Sequence, residues 1–256
     1  YCTGPGYGLN YPRAISMIHD SITEYQQYGK IEILKEKEFY SGELRFSNYN
    51  WFVKTSIGKT GPGPNFFYYD NSSVYIDDKG HLHLNLVERE GRWYSSEVVL
   101  QDQLGYGTYS FLVESDLGTL DKDVVLGLFT YDLHNPKEPD YYHREIDVEV
   151  SRWGMKDSDD IQFAVQGPKP LQAIKRFNLN QTQDLIFVFE WKESHLNFRV
   201  IDNFSKKVLQ QWSYQGELIP KPGDEHARIN LWIYDNDKPS DGNEAEIIIT
   251  KFWFES

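Results

Sequence analysis

One cysteine, Cys2, stands in 256 residues, so the chain has no internal disulfide. Its second position fits a lipid-bearing cysteine left after signal cleavage, but an incidental thiol is the favoured reading because Tyr1 precedes it. No apolar run is long enough to span a membrane and no signal peptide is visible. The expected location is secreted or cell-surface; if the chain is secreted, its signal has already been cut away. Positive charge is scarce: 26 Lys and Arg face 39 Asp and Glu, a formal charge of −13 at pH 7. With no Lys/Arg-rich face to neutralise phosphates, nucleic acid and polybasic membrane contacts are excluded as partners. Seven scattered histidines and one cysteine give no zinc centre. A sustained 3.6-residue apolar period is also missing after residue 45, which excludes a helical domain there.

Aromatic residues, by contrast, make up 16% of the chain and hydrophobic residues 39%. Tyr, Trp and Phe favour strands and also form the flat platforms on which sugar rings stack. From Trp51 onward, short alternating runs are separated by turn signals at sandwich-like intervals. Residues 81–87 (HLHLNLV) read as a strand with its leucines inward, after the turn Asp77-Asp78-Lys79-Gly80. Strands are also expected over residues 93–100, 107–114, 124–131, 161–166, 185–191, 196–201, 227–234 and 246–254. The fold class that follows is all-β, an antiparallel β-sandwich of two sheets. Residues 1–43 read as an N-terminal extension packed on the main domain, with a short helix near residues 14–25, too polar to bury a core of its own. Residues 44–256 form the main domain. Two loops are long enough to shape a site, residues 56–65 (SIGKTGPGPN) and 133–142 (LHNPKEPDYY).

The chain is organised around residues 141–154, YYHREIDVEVSRWG. Glu145, Asp147 and Glu149 share one parity, and Ile146, Val148 and Val150 the other. On a strand this puts three carboxylates on one face and an aliphatic row on the other. Alternation alone also describes any half-exposed strand, but a solvated face mixes Lys, Thr and Ser with its acids. Three like charges on neighbouring same-face positions repel one another, and a chain needing only a stable strand has no reason to keep them.

Glu-Ile-Asp-Val-Glu resembles the E-x-D-x-E strand of glycoside hydrolase family 16, the jelly-roll enzymes that include the lichenases. The resemblance runs from about residue 51 to 254. It takes in Gly105-Tyr106-Gly107-Thr108-Tyr109, Gly127-Leu128-Phe129-Thr130-Tyr131, Phe189-Glu190-Trp191 and Asn230-Leu231-Trp232 in matching order. It implies a retaining glycosidase with Glu145 as nucleophile, Glu149 as general acid and base, and Asp147 between them tuning both by a hydrogen bond to one. Glu97 resembles the acid placed on a neighbouring strand to contact sugar, while the arginine expected two residues later is Val99, so one contact is expected to be missing. Phe129, Tyr131, Gln162 and Trp232 match other cleft positions. Ala164 replaces an asparagine, and His143-Arg144 replaces Trp-Asp before the nucleophile. Arg144 and Trp153 flank the motif as further candidates for substrate binding, Trp153 as a platform or as a packing residue on the sandwich edge. No cofactor is required. A structural Ca²⁺ is compatible with the resemblance, although no Asp-rich loop fixes its place.

The function expected is endo-acting hydrolysis of a β-linked polysaccharide, first of all a β-glucan, by a monomer. A sugar-binding module on the same sandwich and a transglycosylase are the alternatives. Sequons at Asn71, Asn180 and Asn203 matter only in a eukaryotic secretory pathway.

Overall fold

The computed structural model describes residues 38–133, 142–168, 171–179 and 182–256. Cys2, the expected short helix and Asn180 lie outside the described residues. Among the described residues, strand-forming alternation resolves into sixteen strands. They are β1 (Glu38–Phe46), β2 (Tyr49–Ser56), β3 (Val74–Ile76), β4 (Leu82–Arg89), β5 (Arg92–Tyr94) and β6 (Ser96–Leu100). Then come β7 (Gly107–Val113), β8 (Val124–Tyr131), β9 (Ile146–Val150), β10 (Ile161–Gln166) and β11 (Gln172–Phe177). The last five are β12 (Leu185–Trp191), β13 (Leu196–Asp202), β14 (Val208–Tyr214), β15 (His226–Ile233) and β16 (Ala245–Glu255).

They form two antiparallel sheets packed face to face. One has the order β1-β2-β6-β15-β8-β9-β10-β11 and the other β14-β13-β12-β7-β16-β4-β3, with β5 paired to β4. Between them lies one apolar core in which Trp51, Phe111, Phe163, Phe187, Phe189, Trp191 and Phe198 are fully buried. Leu82, Leu84 and Leu86 of β4 point into it as the alternation predicts. So do Leu126 and Leu128 of β8, Ile146, Val148 and Val150 of β9, and Ile229 and Leu231 of β15. The opposite parity of these last three strands must then face away from the core, and there it meets in register. Asp147 pairs with Phe129, Phe129 with Arg228, and Arg228 with Val99 across four neighbouring strands.

Two expectations about extent change. Residues 93–100 are not one strand: β5 pairs with β4 in the second sheet and β6 with β15 and β2 in the first, so the chain changes sheets at Ser95. The domain boundary drawn after residue 43 falls inside β1, which runs unbroken across it against β2.

Candidate active site

The outer face of the first sheet holds a cavity of about 400 Å³ lined by Glu145, Asp147 and Glu149. Its walls include Glu97, Phe129, Tyr131 and Trp232 from the expected set. Lys54, Gly61, Pro62, Gly127, Leu133, Tyr142, Arg228 and Asn230 complete it. Both long loops reach it, the first through Gly61 and Pro62, the second through its described ends Leu133 and Tyr142. Residues 134–141 between those ends lie outside the described residues.

Glu145 stands just before β9, where the chain arrives through an unusual pair of residues. His143 and Arg144 both have positive φ, 54° and 50°. Such a left-handed turn is costly for residues with a Cβ, so something must hold it. Arg144 does: buried, it pairs with Asp132 and donates from Nε to the Lys221 carbonyl (2.8 Å). Gly223 leaves it room, because a Cβ there would lie 2.4 Å from the guanidinium. His143 stacks on Tyr131, with centroids 4.6 Å apart and planes 9° from parallel. The structure thus puts Arg144 behind the pocket as a clamp on the approach to Glu145, not on its wall.

The other two acids are each held by a glutamine of β10. Gln166 Nε2 donates to Asp147 Oδ2 (2.8 Å), and Gln162 Nε2 to Glu149 Oε2 (2.6 Å). Ala164, between the glutamines, lies directly opposite Asp147. The hydrogen bond that Asp147 makes thus comes from Gln166, where one to a flanking glutamate was expected. The Gln162 amide is spent inside the protein, since its Oε1 accepts from Arg176 Nε (2.7 Å). Trp153 is also off the pocket, with the Arg176 guanidinium over its ring at 5.2 Å and Tyr234 edge-on at 5.4 Å.

Burial and mutual repulsion set the electrostatics. Burial pushes the Glu145 carboxyl well above its ordinary range, and Asp147 and Glu149 push it further, while Arg228 opposes them. Burial likewise raises Asp147 to about 7, against the Gln166 hydrogen bond. Glu149 rises to about 8, through burial and then Asp147, against Gln162 and Arg176. The three interact strongly, so their protons leave as a set. At neutral pH the pocket holds carboxyl protons as well as carboxylate charge, which is what acid–base work requires.

Glu97 behaves oppositely. Burial alone would raise it, but Lys54 and Arg228, with hydrogen bonds from Asn230 and Arg228, outweigh that and keep it ionised below its ordinary range. Arg228 Nη1 lies 2.8 Å from Glu97 Oε1, Asn230 Nδ2 3.2 Å and Lys54 Nζ 3.4 Å from Oε2. Lys54 Nζ also donates to the Gly61 carbonyl (2.7 Å), tying the Gly/Pro loop to the pocket floor. Asn65 clamps the loop's far end, donating to the Pro62 and Ile233 carbonyls at 2.9 Å each. Lys54 and Arg228 were not singled out from the sequence. The signal was there for Arg228, which shares its parity with Asn230 and Trp232. Among the described residues no group of three or more His, Cys, Asp or Glu is placed to hold a metal ion. No helix among them is long and apolar enough to cross a membrane.

No family model matches the sequence, and no curated protein matches it. Solved structures do match the fold. A Bacillus licheniformis β-glucanase superposes with TM-score 0.61 at 17% identity, over 84% of this chain and 99% of that one. A lichenase derived from a mouse hindgut metagenome gives 0.60 at 19%, over 86% and 99%. A Bacteroides ovatus mixed-linkage glucan protein of glycoside hydrolase family 16, solved with the product G4G4G3G, gives 0.60 at 14%, over 85% and 99%. The chain has the jelly-roll fold of the family 16 β-glucanases.

Proposed function

We propose that this chain is a retaining, endo-acting glycoside hydrolase that cleaves a β-linked polysaccharide, a β-glucan before others. The observation that carries the reading is the division of residues 145–150 between core and pocket. Three aliphatic side chains are buried in the core and three carboxyls line one cavity beside Phe129, Tyr131 and Trp232. The structural neighbours whose names declare β-glucanase or mixed-linkage glucan support the substrate class.

In the proposed reaction, Glu145 attacks the anomeric carbon as the bond to the leaving oxygen breaks, and Glu149 gives that oxygen its proton. Glu149 then takes a proton from water, whose oxygen displaces Glu145 and frees the sugar with its configuration retained. Glu145 can turn to the anomeric carbon because no described glutamine holds its carboxyl as Gln166 and Gln162 hold the other two. Burial and its acidic neighbours raise it and Arg228 opposes them, so the attacking form is the one in which the coupled trio keeps its protons on the other carboxyls. Asp147 keeps a third carboxyl between them, raising the proton affinity of Glu149. Phe129, Tyr131 and Trp232 offer rings to the sugar, and Glu97, held ionised, offers acceptors to its hydroxyls. In this reading the protein works outside the cell or at its surface, as a monomer, on a neutral glycan.

The test is release of reducing ends from laminarin, lichenan and xyloglucan, with Glu145→Gln as control. Release from at least one, abolished in the variant, is expected. Binding without release from any of them would make the chain a sugar-binding module.

A further inference from the structure

A glutamine amide has two chemically different ends, and turning it over exchanges donor for acceptor. Which way Gln162 points therefore decides what Glu149 meets. The group that decides it lies outside the pocket. Arg176, exposed on β11 at the edge of the sheet, directs its Nε–H at Gln162 Oε1 (2.7 Å). Arginine is a donor only, so Oε1 must face it and Nε2 must face Glu149 Oε2 (2.6 Å). Register supports the same chain of contacts, since Glu149 pairs with Gln162 and Gln162 with Arg176 across β9, β10 and β11. Arg176 is steadied in turn by Trp153, whose ring lies 5.2 Å from the guanidinium and whose backbone N–H is held by Ser151 Oγ (3.0 Å).

We propose that Arg176 is a positioning residue for the acid–base carboxyl: it fixes the orientation of the Gln162 amide and, through it, the place and hydrogen bonding of Glu149. The proposal rests on the reading of Glu149 as acid and base. It also gives Trp153 a role, as the platform of this arginine.

The consequence is chemical. An ionised carboxylate accepts from Nε2, whereas a protonated one has its own hydrogen to donate and would prefer Oε1. Arg176 thus holds Gln162 in the orientation that favours ionised Glu149, and its positive charge acts the same way. Burial and the charge of Asp147 act against both. Of the other charged groups, Glu145 lies on the same side of β9. Lys54, Glu97 and Arg228 lie beyond Gly127 and Asn230 in the ladder and are engaged with one another. A residue that must lose its proton in one step and take one in the next works best when neither form is too stable. Arg176 keeps burial and Asp147 from locking the proton on.

Arg176→Gln and Arg176→Lys test this on the intact protein. The Glu149 carboxyl is titrated by ¹³C NMR, assigned through Glu149→Gln, and the pH profile of kcat/KM is measured beside it. Arg176→Gln should raise the Glu149 titration and the basic limb of the profile by roughly one pH unit, the scale of losing a nearby opposite charge. Arg176→Lys, which keeps a cationic donor, should restore most of the shift. A Glu149 titration that stays in place in Arg176→Gln, with or without a loss of rate, would overturn the proposal. The NMR titration needs no turnover. If no polysaccharide is cleaved, the enzymatic reading fails while the contact from Arg176 to Glu149 is still decided.

Discussion

Arg228 stands directly opposite Val99 in the β6–β15 ladder and carries its guanidinium to Glu97, 2.8 Å away. The position two residues beyond Glu97, where the family resemblance led one to expect arginine, is apolar here. A guanidinium nonetheless arrives beside the same carboxylate from the neighbouring strand. Both partners are almost fully buried, at 3% and 1% exposure, so each depends on the other for the solvation it has lost.

Truncating one partner leaves the other charged and buried. Arg228→Met should destabilise the protein by about 3–5 kcal/mol, read as a Tm fall on the order of ten degrees. Glu97→Gln should rescue part of that loss, so the double variant should be more stable than the sum of the single effects predicts. Additive melts would show that Lys54 and Asn230 satisfy Glu97 without Arg228.

Gly127 lies between Glu149 and Asn230 in the ladder, and a Cβ there would come 2.4 Å from Asn230 Oδ1. Gly127→Ala should push Asn230 off Glu97 and narrow the pocket beside Glu149. Steady-state kinetics should show kcat/KM lower by at least roughly tenfold, equivalent to about 1.4 kcal/mol, in a protein that still folds. Unchanged kcat/KM would remove Asn230 and the bare backbone of Gly127 from the account.

The pH dependence of stability follows from the directions of the shifts. Glu145, Asp147 and Glu149 have raised folded-state pKa values, so the folded chain holds more protons than the unfolded one in the interval between. Their contribution is complete below the ordinary carboxyl range and is lost as pH rises through about 7 for Asp147 and about 8 for Glu149. Glu97 is lowered, so its contribution is present above the ordinary range and lost only in acid. Thermal melts of the free protein should therefore fall between about pH 5 and pH 8, and Glu149→Gln should flatten the upper part of that fall. A Tm rising across this interval would mean that the trio is not protonated as described.

The interior of the fold was legible because its strands alternate between a core and a second surface. The ranges read for β8, β10 and β12 coincide with those observed. The edge strands β11 and β14 were not read. They have one packed neighbour each, and runs such as Gln172 to Arg176 are mostly exposed, so no alternation is written in them. The break at Ser95 was hidden because both β5 and β6 are apolar enough to pass for one strand. In the site, parity alone located the carboxyls, because it divides two faces whatever the tertiary context. Partner choice was not legible. Nothing in the sequence says that Gln162 spends its amide on Glu149 and Arg176, that Arg144 turns back to Asp132, or that Trp153 carries a guanidinium. Those contacts depend on where β11 and the 221–223 segment lie, many residues away.

In the proposed reaction Glu145 and Glu149 divide the two steps of a double displacement. Azide rescue tests it most directly, with the configuration of the glycosyl azide read by NMR. In Glu149→Ala, turnover of a natural polysaccharide should collapse, while an aryl glycoside with a good leaving group still forms the glycosyl-enzyme because it needs little protonation. Azide needs no general base, so it should restore turnover and give the β-azide. In Glu145→Ala, azide should attack the substrate directly from the vacated side and give the α-azide. The expected pairing is β from Glu149→Ala and α from Glu145→Ala. The reverse pairing would exchange the two roles, and no rescue of either variant with glycan binding intact would contradict catalysis at this site.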